Sequence, residues 1–209
     1  MSTPDDDPRA FWESRYANAG DAFVFGQAPN DFLVREAHRL PAGSRVLSVA
    51  DGEGRNSVFL AEQGHRVDAL EFAPSAIAKA RALAADKAVD IALIEADVFD
   101  WAWPVETYDA VIAIFVQFAD PARREQLFAH MMTALQPGGL LLLQGYTPKQ
   151  IGYGTGGPSA VENLYTEALL IEAFAAHETL LLRTHESVID EGAGHRGMSA
   201  LVDLVVRKF

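Results

Sequence analysis

The chain contains no cysteine. That single absence excludes disulfides, thiolate nucleophiles and cysteine-ligated zinc. Basic residues are scarce: 17 Lys and Arg stand against 29 Asp and Glu, for a formal net charge of −12. A duplex-binding protein needs cationic groups to displace counterions from phosphates. The Arg123–Arg124 pair falls where a helix surface is expected and belongs to no larger basic cluster. No nucleic-acid or anionic-membrane partner is therefore expected, and highly anionic substrates are disfavoured. Apolar runs approaching about 18 residues are missing too, so no transmembrane helix is expected. The N-terminus lacks a basic segment followed by an apolar one, which argues against a signal peptide and for a cytoplasmic location. His65, His130, His177 and His185 are scattered without metal-ligand spacing, so no metal is expected.

What is present reads as one globular domain over residues 1–209, with 49% apolar residues and an acidic, disordered tip over residues 1–8. Strand and helix patterns alternate. Asn30 reads as the N-cap of a helix running to Leu40, and Pro41 with Gly43 stops it. Residues 45–50 (RVLSVA) read as a buried strand. A Gly-rich turn and a helix follow, then a second strand at residues 66–71. Pro74 opens a helix to about residue 86. Further strands are expected at residues 91–95, 108–115 and 140–145, with a helix over residues 121–135 between the last two. Residues 151–158 (IGYGTGGP) hold four glycines and read as a loop. A helix at about residues 166–175 precedes two final strands, near 179–189 and 199–207, joined by a loop over 190–198. Alternating strands and helices imply an α/β fold, a doubly wound, mostly parallel seven-stranded sheet. The last two strands, joined by a short loop, should be antiparallel.

Ligands in such sheets bind beyond the carboxyl ends of the strands. Three strand ends there carry suitable residues. Ala50, Asp51, Gly52, Gly54, Arg55 and Asn56 form a Gly-containing turn that opens a helix, where backbone can approach a ligand and the helix N-terminus favours an anion. Glu71 ends the next strand, roughly 20 residues on, the spacing for a carboxylate that accepts ribose hydroxyls. Asp97 and Val98 follow the third strand, where a carboxylate can accept from an adenine amino group and a backbone N–H can donate to the ring. Together these reach the separate parts of an adenosine.

The run from Val46 to Asn56 resembles the first motif of class I S-adenosylmethionine-dependent methyltransferases. Residues 67–71 and Ala96-Asp97-Val98 resemble their second and third motifs, and residues 134–140 (ALQPGGL) resemble the turn before their fifth strand. Phe11-Trp12-Glu13-Ser14-Arg15-Tyr16, with Phe25-Gly26 downstream, is similar to the tellurite-resistance and thiopurine methyltransferase branch. The resemblance implies a Rossmann-like methyltransferase fold, S-adenosyl-L-methionine as cofactor, and N-terminal helices over residues 9–40 that cap its site. Two positions depart from the family: Ser48 stands where an acid is usual, and Ala50 where glycine is usual. Asp51, next in line, is a candidate for the missing acceptor.

Methyl transfer is an in-line displacement, and the cofactor brings its own leaving group. The protein aligns the acceptor and excludes water. His195 is the candidate base, and Trp12 and Tyr16 are candidates to close over the cofactor. Tyr16 is grouped with His195 as catalytic, and Trp12, Phe72 and Phe115 with the cofactor-binding residues. Gln117, Tyr146, Tyr153, Glu191 and Arg196 are candidate acceptor contacts, and residues 151–158 a candidate lid with glycine hinges. The expected reaction is methylation of a small molecule, with a soft sulfur, selenium or tellurium atom as candidate acceptor. Two other readings stay open here: an NAD-dependent oxidoreductase, whose third small residue would be Ser57, and a non-catalytic S-adenosylmethionine-binding protein. The oligomeric state is not legible.

Overall fold

The computed structural model describes residues 7–192 and 194–209. Its centre is a seven-stranded sheet in the order β3-β2-β1-β4-β5-β7-β6. The strands are β1 (Arg45–Val49), β2 (Arg66–Glu71), β3 (Ala92–Glu95), β4 (Tyr108–Ile114), β5 (Leu135–Tyr146), β6 (Glu178–Glu191) and β7 (His195–Arg207). β1 to β5 pair in parallel. β7 runs antiparallel to both β5 and β6. This is the doubly wound, mostly parallel sheet that the alternating pattern implies.

The strands are buried because they carry apolar residues on both faces. Leu47, Val111, Leu141 and Leu204 pack one core with Leu127 and Phe174 of the helices α5 (Pro121–Ala134) and the segment after α6 (Glu167–Ala173). Val46, Ile112, Leu142 and Val205 pack the opposite core with Phe32 and Leu33 of α2 (Asp31–Glu36) and Leu60 of α3 (Arg55–Glu62). Each fully buried side chain of this size contributes about 1.5–3 kcal/mol.

The helices begin where side chains satisfy their open N–H groups. Asp7 caps α1 (Pro8–Asn18), Asn30 caps α2, Asp120 caps α5 and Thr166 caps α6. Pro8, Pro74 and Pro121 stand in the first turns of α1, α4 (Pro74–Asp86) and α5, where a missing N–H costs nothing. Asp7 therefore belongs to a helix cap rather than to a free tail, and the rest of the expected acidic tip lies outside the described residues. α3 is different. It starts at Gly54, with φ of 90° and no side-chain cap, so its N-terminal N–H groups face the end of β1.

Three expectations need correction. The segment 190–198 is not a loop: Ile189, Asp190 and Glu191 pair with Gly197, Arg196 and His195, so the pairing of β6 with β7 runs on to Glu191 and His195. Main-chain pairing holds it without apolar alternation. Likewise β5 begins at Leu135 rather than Leu140. Leu135 pairs with Tyr108 and Leu140 with Ala110, and the intervening Pro-Gly-Gly stretch bulges out of register. Arg124, expected on a helix surface, is buried, with its guanidinium donating to the Glu162 carbonyl at 2.6 Å.

Candidate active site

A cavity opens at the carboxyl ends of β1, β2 and β4. Its floor is the turn from Ser48 to Asn56, and its sides are Glu71, Phe72, Ile114 and Phe115. Trp12, Tyr16 and Phe25 close it from the N-terminal side, and His195 from the hairpin. Sequence-read residues from four distant stretches thus meet in one place. Phe25 and Gly26 of the N-terminal motif line it as well, as do Ile114 and Phe118, whose types alone gave no signal.

The turn after β1 is tight. Ala50 and Gly52 have φ of 49° and 65°. Gly54 admits no side chain: a Cβ there would lie 2.7 Å from Cβ of Ala80. Asp51 points back toward β1. Its carboxylate accepts from the Ser48 hydroxyl at 2.6 Å and from the Ser57 hydroxyl at 2.6 Å. A carboxylate thus stands three residues beyond position 48, in contact with the Ser48 hydroxyl. Burial pushes the Asp51 carboxyl above its ordinary value, while the bonds from Ser48 and Ser57 pull it down.

Glu71 ends β2. One carboxylate oxygen accepts from the Gly52 N–H at 2.9 Å, and the other accepts from Phe72 and Ala73, each at 2.9 Å. Burial raises its pKa, the three N–H groups lower it, and the Asp51 charge raises it again. Asp97 lies beyond β3. Its carboxylate accepts from the Phe99 N–H at 2.9 Å and its carbonyl from Trp101 at 2.9 Å. It shapes the turn after the edge strand, and neither Asp97 nor the buried Val98 belongs to the cavity wall. The neighbouring N–H of Ala96 donates to the Glu71 carbonyl at 3.1 Å, which ties that turn to the cavity rim.

The N-terminal cap is latched by Glu53. Its buried carboxylate accepts from the N–H groups of Val24 and Phe25 at 2.8 and 3.3 Å and pairs with Lys79 at 2.9 Å. Trp12 stacks on Tyr16 with ring centroids 5.9 Å apart. The Tyr16 hydroxyl presses on Gly52, where a Cβ would lie 3.1 Å from it. Burial, with Glu71 and Glu53 nearby, pushes its pKa far up, so the phenol stays protonated.

On the hairpin side, the His195 ring lies 4.5 Å from Phe25, 4.5 Å from Phe115 and 5.7 Å from Tyr146, centroid to centroid. Burial lowers its pKa and Glu191 raises it, with a net fall, so the imidazole is neutral at neutral pH. Glu191 is held by Arg55 at 2.7 Å and by the Asn30 amide at 2.9 Å. Burial alone would raise the Glu191 pKa, but His195 and Arg55 bring it down to about 2. Tyr146 stacks behind Phe115 at 4.7 Å, under Gly156 and Gly157. Those glycines of the expected lid permit close approach: a Cβ on Gly157 would lie 2.8 Å from the Tyr146 ring.

None of the five candidate acceptor contacts lines the cavity: Tyr146 stacks on Phe115, Glu191 holds Arg55 and Asn30, and the other three are engaged elsewhere. Gln117 is spent on main chain, donating to the Tyr146 carbonyl at 2.9 Å and accepting from the Tyr146 N–H at 2.6 Å. Tyr153 pairs with Glu186 on the surface. Arg196 pairs with Asp190 at 3.3 Å, both exposed. Asn56 accepts from the Asn30 N–H at 3.0 Å while also lining the cavity. No cluster of metal-ligating side chains occurs among the described residues.

Residues 46–139 match the family model of a methyltransferase domain. A demethylmenaquinone methyltransferase of Thermus thermophilus is 31% identical over 113 residues, 53% of this chain and 51% of that protein. The chain thus spans about half the length of that curated relative. Among solved structures, one concerned with conversion of a disulfide bond into a thioacetal group during echinomycin biosynthesis superposes with a TM-score of 0.79, at 17% identity, over 96% of this chain and 92% of that one. TehB from Haemophilus influenzae gives 0.69 at 20% identity, over 95% and 67%. The N-methyltransferase NodS from Bradyrhizobium japonicum, in complex with S-adenosyl-l-homocysteine, gives 0.70 at 15% identity, over 97% and 99%. At these identities the structures establish the fold. The resemblance to a methyltransferase domain spans residues 46–139, somewhat less than half of the chain.

Proposed function

We propose that the chain binds S-adenosylmethionine in this cavity and transfers its methyl group to a small molecule with a soft nucleophilic atom, sulfur first and selenium or tellurium after it. One observation carries the reading. Asp51 and Glu71 are buried in the cavity wall, and no cationic side chain forms an ion pair with either among the described residues. Glu53 and Glu191, by contrast, have Lys79 and Arg55. A cavity with two uncompensated carboxylates favours a cationic ligand. S-adenosylmethionine supplies a sulfonium and an ammonium, and its methyl group is already on a leaving group.

In this reading Asp51 takes the ammonium, helped by the backbone of Ala50, Gly52 and Gly54. Glu71 keeps one acceptor position, on the oxygen that also takes the Gly52 N–H, for a ribose hydroxyl. Phe72 flanks the adenine. Arg55 and Asn56 open the helix under the carboxylate end, where uncapped N–H groups favour an anion. Trp12, Tyr16 and Phe115 cover the sulfonium and keep water out. A dinucleotide would set its pyrophosphate against Asp51, which argues against the NAD reading. The small-molecule acceptor enters beside His195. A protic nucleophile attacks the methyl carbon, the carbon–sulfur bond breaks toward the cofactor, and the proton passes to the neutral imidazole. The acidic wall disfavours oxyanions such as tellurite and favours thiols or selenols that arrive protonated. The Phe11–Tyr16 motif, similar to the tellurite-resistance and thiopurine methyltransferase branch, supports a chalcogen acceptor.

The test is turnover of S-adenosylmethionine against a panel of thiols, selenols and inorganic chalcogen species. Methylation of a thiol or selenol is expected, with His195→Gln slowing it about 10²-fold or more. Tight cofactor binding without turnover of any acceptor would favour the non-catalytic binding protein instead.

A further inference from the structure

We propose that Asn30 is a positioning residue: through Glu191 it holds the His195 imidazole with Nδ1 toward the carboxylate, which leaves Nε2 with the lone pair that accepts a proton. The inference rests on the reading of His195 as base and adds the device that orients it.

Asn30 is 1% exposed and uses every polar atom it has. Its amide oxygen caps α2, accepting from the Leu33 N–H at 3.1 Å. Its backbone N–H donates to Asn56 at 3.0 Å. Its amide nitrogen donates twice, to Gln144 at 2.7 Å and to Glu191 at 2.9 Å. Gln144 is itself fixed, donating to the buried Asp203 at 2.6 Å. A helix cap would need only the oxygen. The doubly donating nitrogen ties Glu191, at the hairpin tip, to the middle of the sheet.

Glu191 has one oxygen on Asn30 and the other on Arg55. The oxygen on Arg55 lies 3.7 Å from Nδ1 of His195. That is too long for a direct hydrogen bond and short enough for strong charge interaction in a buried site. An anion there favours a proton on Nδ1, which fixes the tautomer. The charged and titratable groups facing the ring are Glu191 from β6, Arg55 from α3, Arg15 from α1 and the Tyr146 hydroxyl from β5; the other faces are Phe25 and Phe115. Glu191 is the only anion among them.

The experiment is nitrogen NMR of the full chain with ¹⁵N-labelled histidine, titrated with pH; His195→Gln assigns the signal. No acceptor is needed. Asn30→Ser keeps an oxygen for the Leu33 cap and deletes the amide. Wild type is expected to show the Nδ1–H tautomer. Glu191→Gln should lower the His195 pKa by roughly one unit, and Asn30→Ser should lower it less while mixing the tautomers, with α2 still folded by circular dichroism. An unchanged tautomer and pKa in Asn30→Ser, with Glu191→Gln altered, would reduce Asn30 to a helix cap. No change in either variant would overturn the whole link. Failure of the base reading is separate: His195→Gln would then turn over acceptor at the wild-type rate, whatever the tautomer.

Discussion

The Asp51 carboxylate is the residue-scale cost of the site. Burial raises its pKa, so the fold prefers it protonated. The linkage follows: the cost is absent below the unfolded pKa, grows as pH rises through that value, and levels off above the raised folded pKa. At neutral pH, above the unfolded value, that cost is present. Asp51→Asn should therefore melt no lower than wild type at pH 7, while its affinity for S-adenosylmethionine falls about 10-fold or more. Differential scanning fluorimetry and calorimetric titration check the two halves. Glu71 has the same direction of shift. Cofactor affinity should accordingly weaken as pH falls through the raised values of the two acids, and titrations from pH 8 downward would show it. The sequence announced Asp51 as a substitute acceptor because it stands beside a vacant acid position. It could not announce Asn30, whose N-cap role concealed two long-range bonds, the farther reaching Glu191 161 positions away. Nor could it separate Gln117 from a true acceptor contact, since a glutamine after a strand looks the same whether it serves main chain or ligand.

Elements bring those residues together through contacts that allow little freedom. α3 approaches α4 so closely at Gly54 that a Cβ would collide with Ala80 backbone at 2.8 Å, and φ there is 90°. Gly54→Ala should destabilise the fold by about 2–4 kcal/mol, visible in urea unfolding. The N-terminal cap hangs on Glu53, which joins the Gly-rich turn to Val24, Phe25 and Lys79. Glu53→Ala removes the carboxylate from Lys79, which keeps the Tyr16 and Ala22 carbonyls, and frees two N–H groups, at a cost of about 2–3 kcal/mol. Hydrogen exchange should speed up in α1 and the segment to Phe25, with β1 and β4 protected as before. Most strands and helices were readable from period and turn residues. The hairpin tip was not, because Gly192, Gly194 and Gly197 read as loop. Their small size instead admits neighbouring backbone and side chains: a Cβ on Gly192 would lie 2.5 Å from the Gly26 nitrogen, and one on Gly194 2.4 Å from the Phe25 ring. β5 was read short for a related reason, since Pro-Gly-Gly signals a turn, while here it is a bulge within a strand that resumes its pairing.

For the whole molecule, the net charge of −12 and the acidic cavity act together. A cationic cofactor is drawn in, and its demethylated product, which has lost the sulfonium charge, is held less firmly. S-adenosylhomocysteine should bind several-fold more weakly than S-adenosylmethionine, with the gap narrowing as salt screens the field. No described helix is long and apolar enough to cross a membrane. The charge balance was legible in composition; the pairing of Glu53 and Glu191 with cations, and the lack of such partners for Asp51 and Glu71, was legible only in the fold. The central claim is that these two acids define a site for S-adenosylmethionine. Calorimetric titration of the full chain with S-adenosylmethionine, beside NAD, tests it most directly when repeated on Asp51→Asn and Glu71→Ala. The account predicts micromolar binding of S-adenosylmethionine, lost or weakened at least 10-fold in each variant, and no heat with NAD. Binding that both variants leave intact, or preferential binding of NAD, would contradict it.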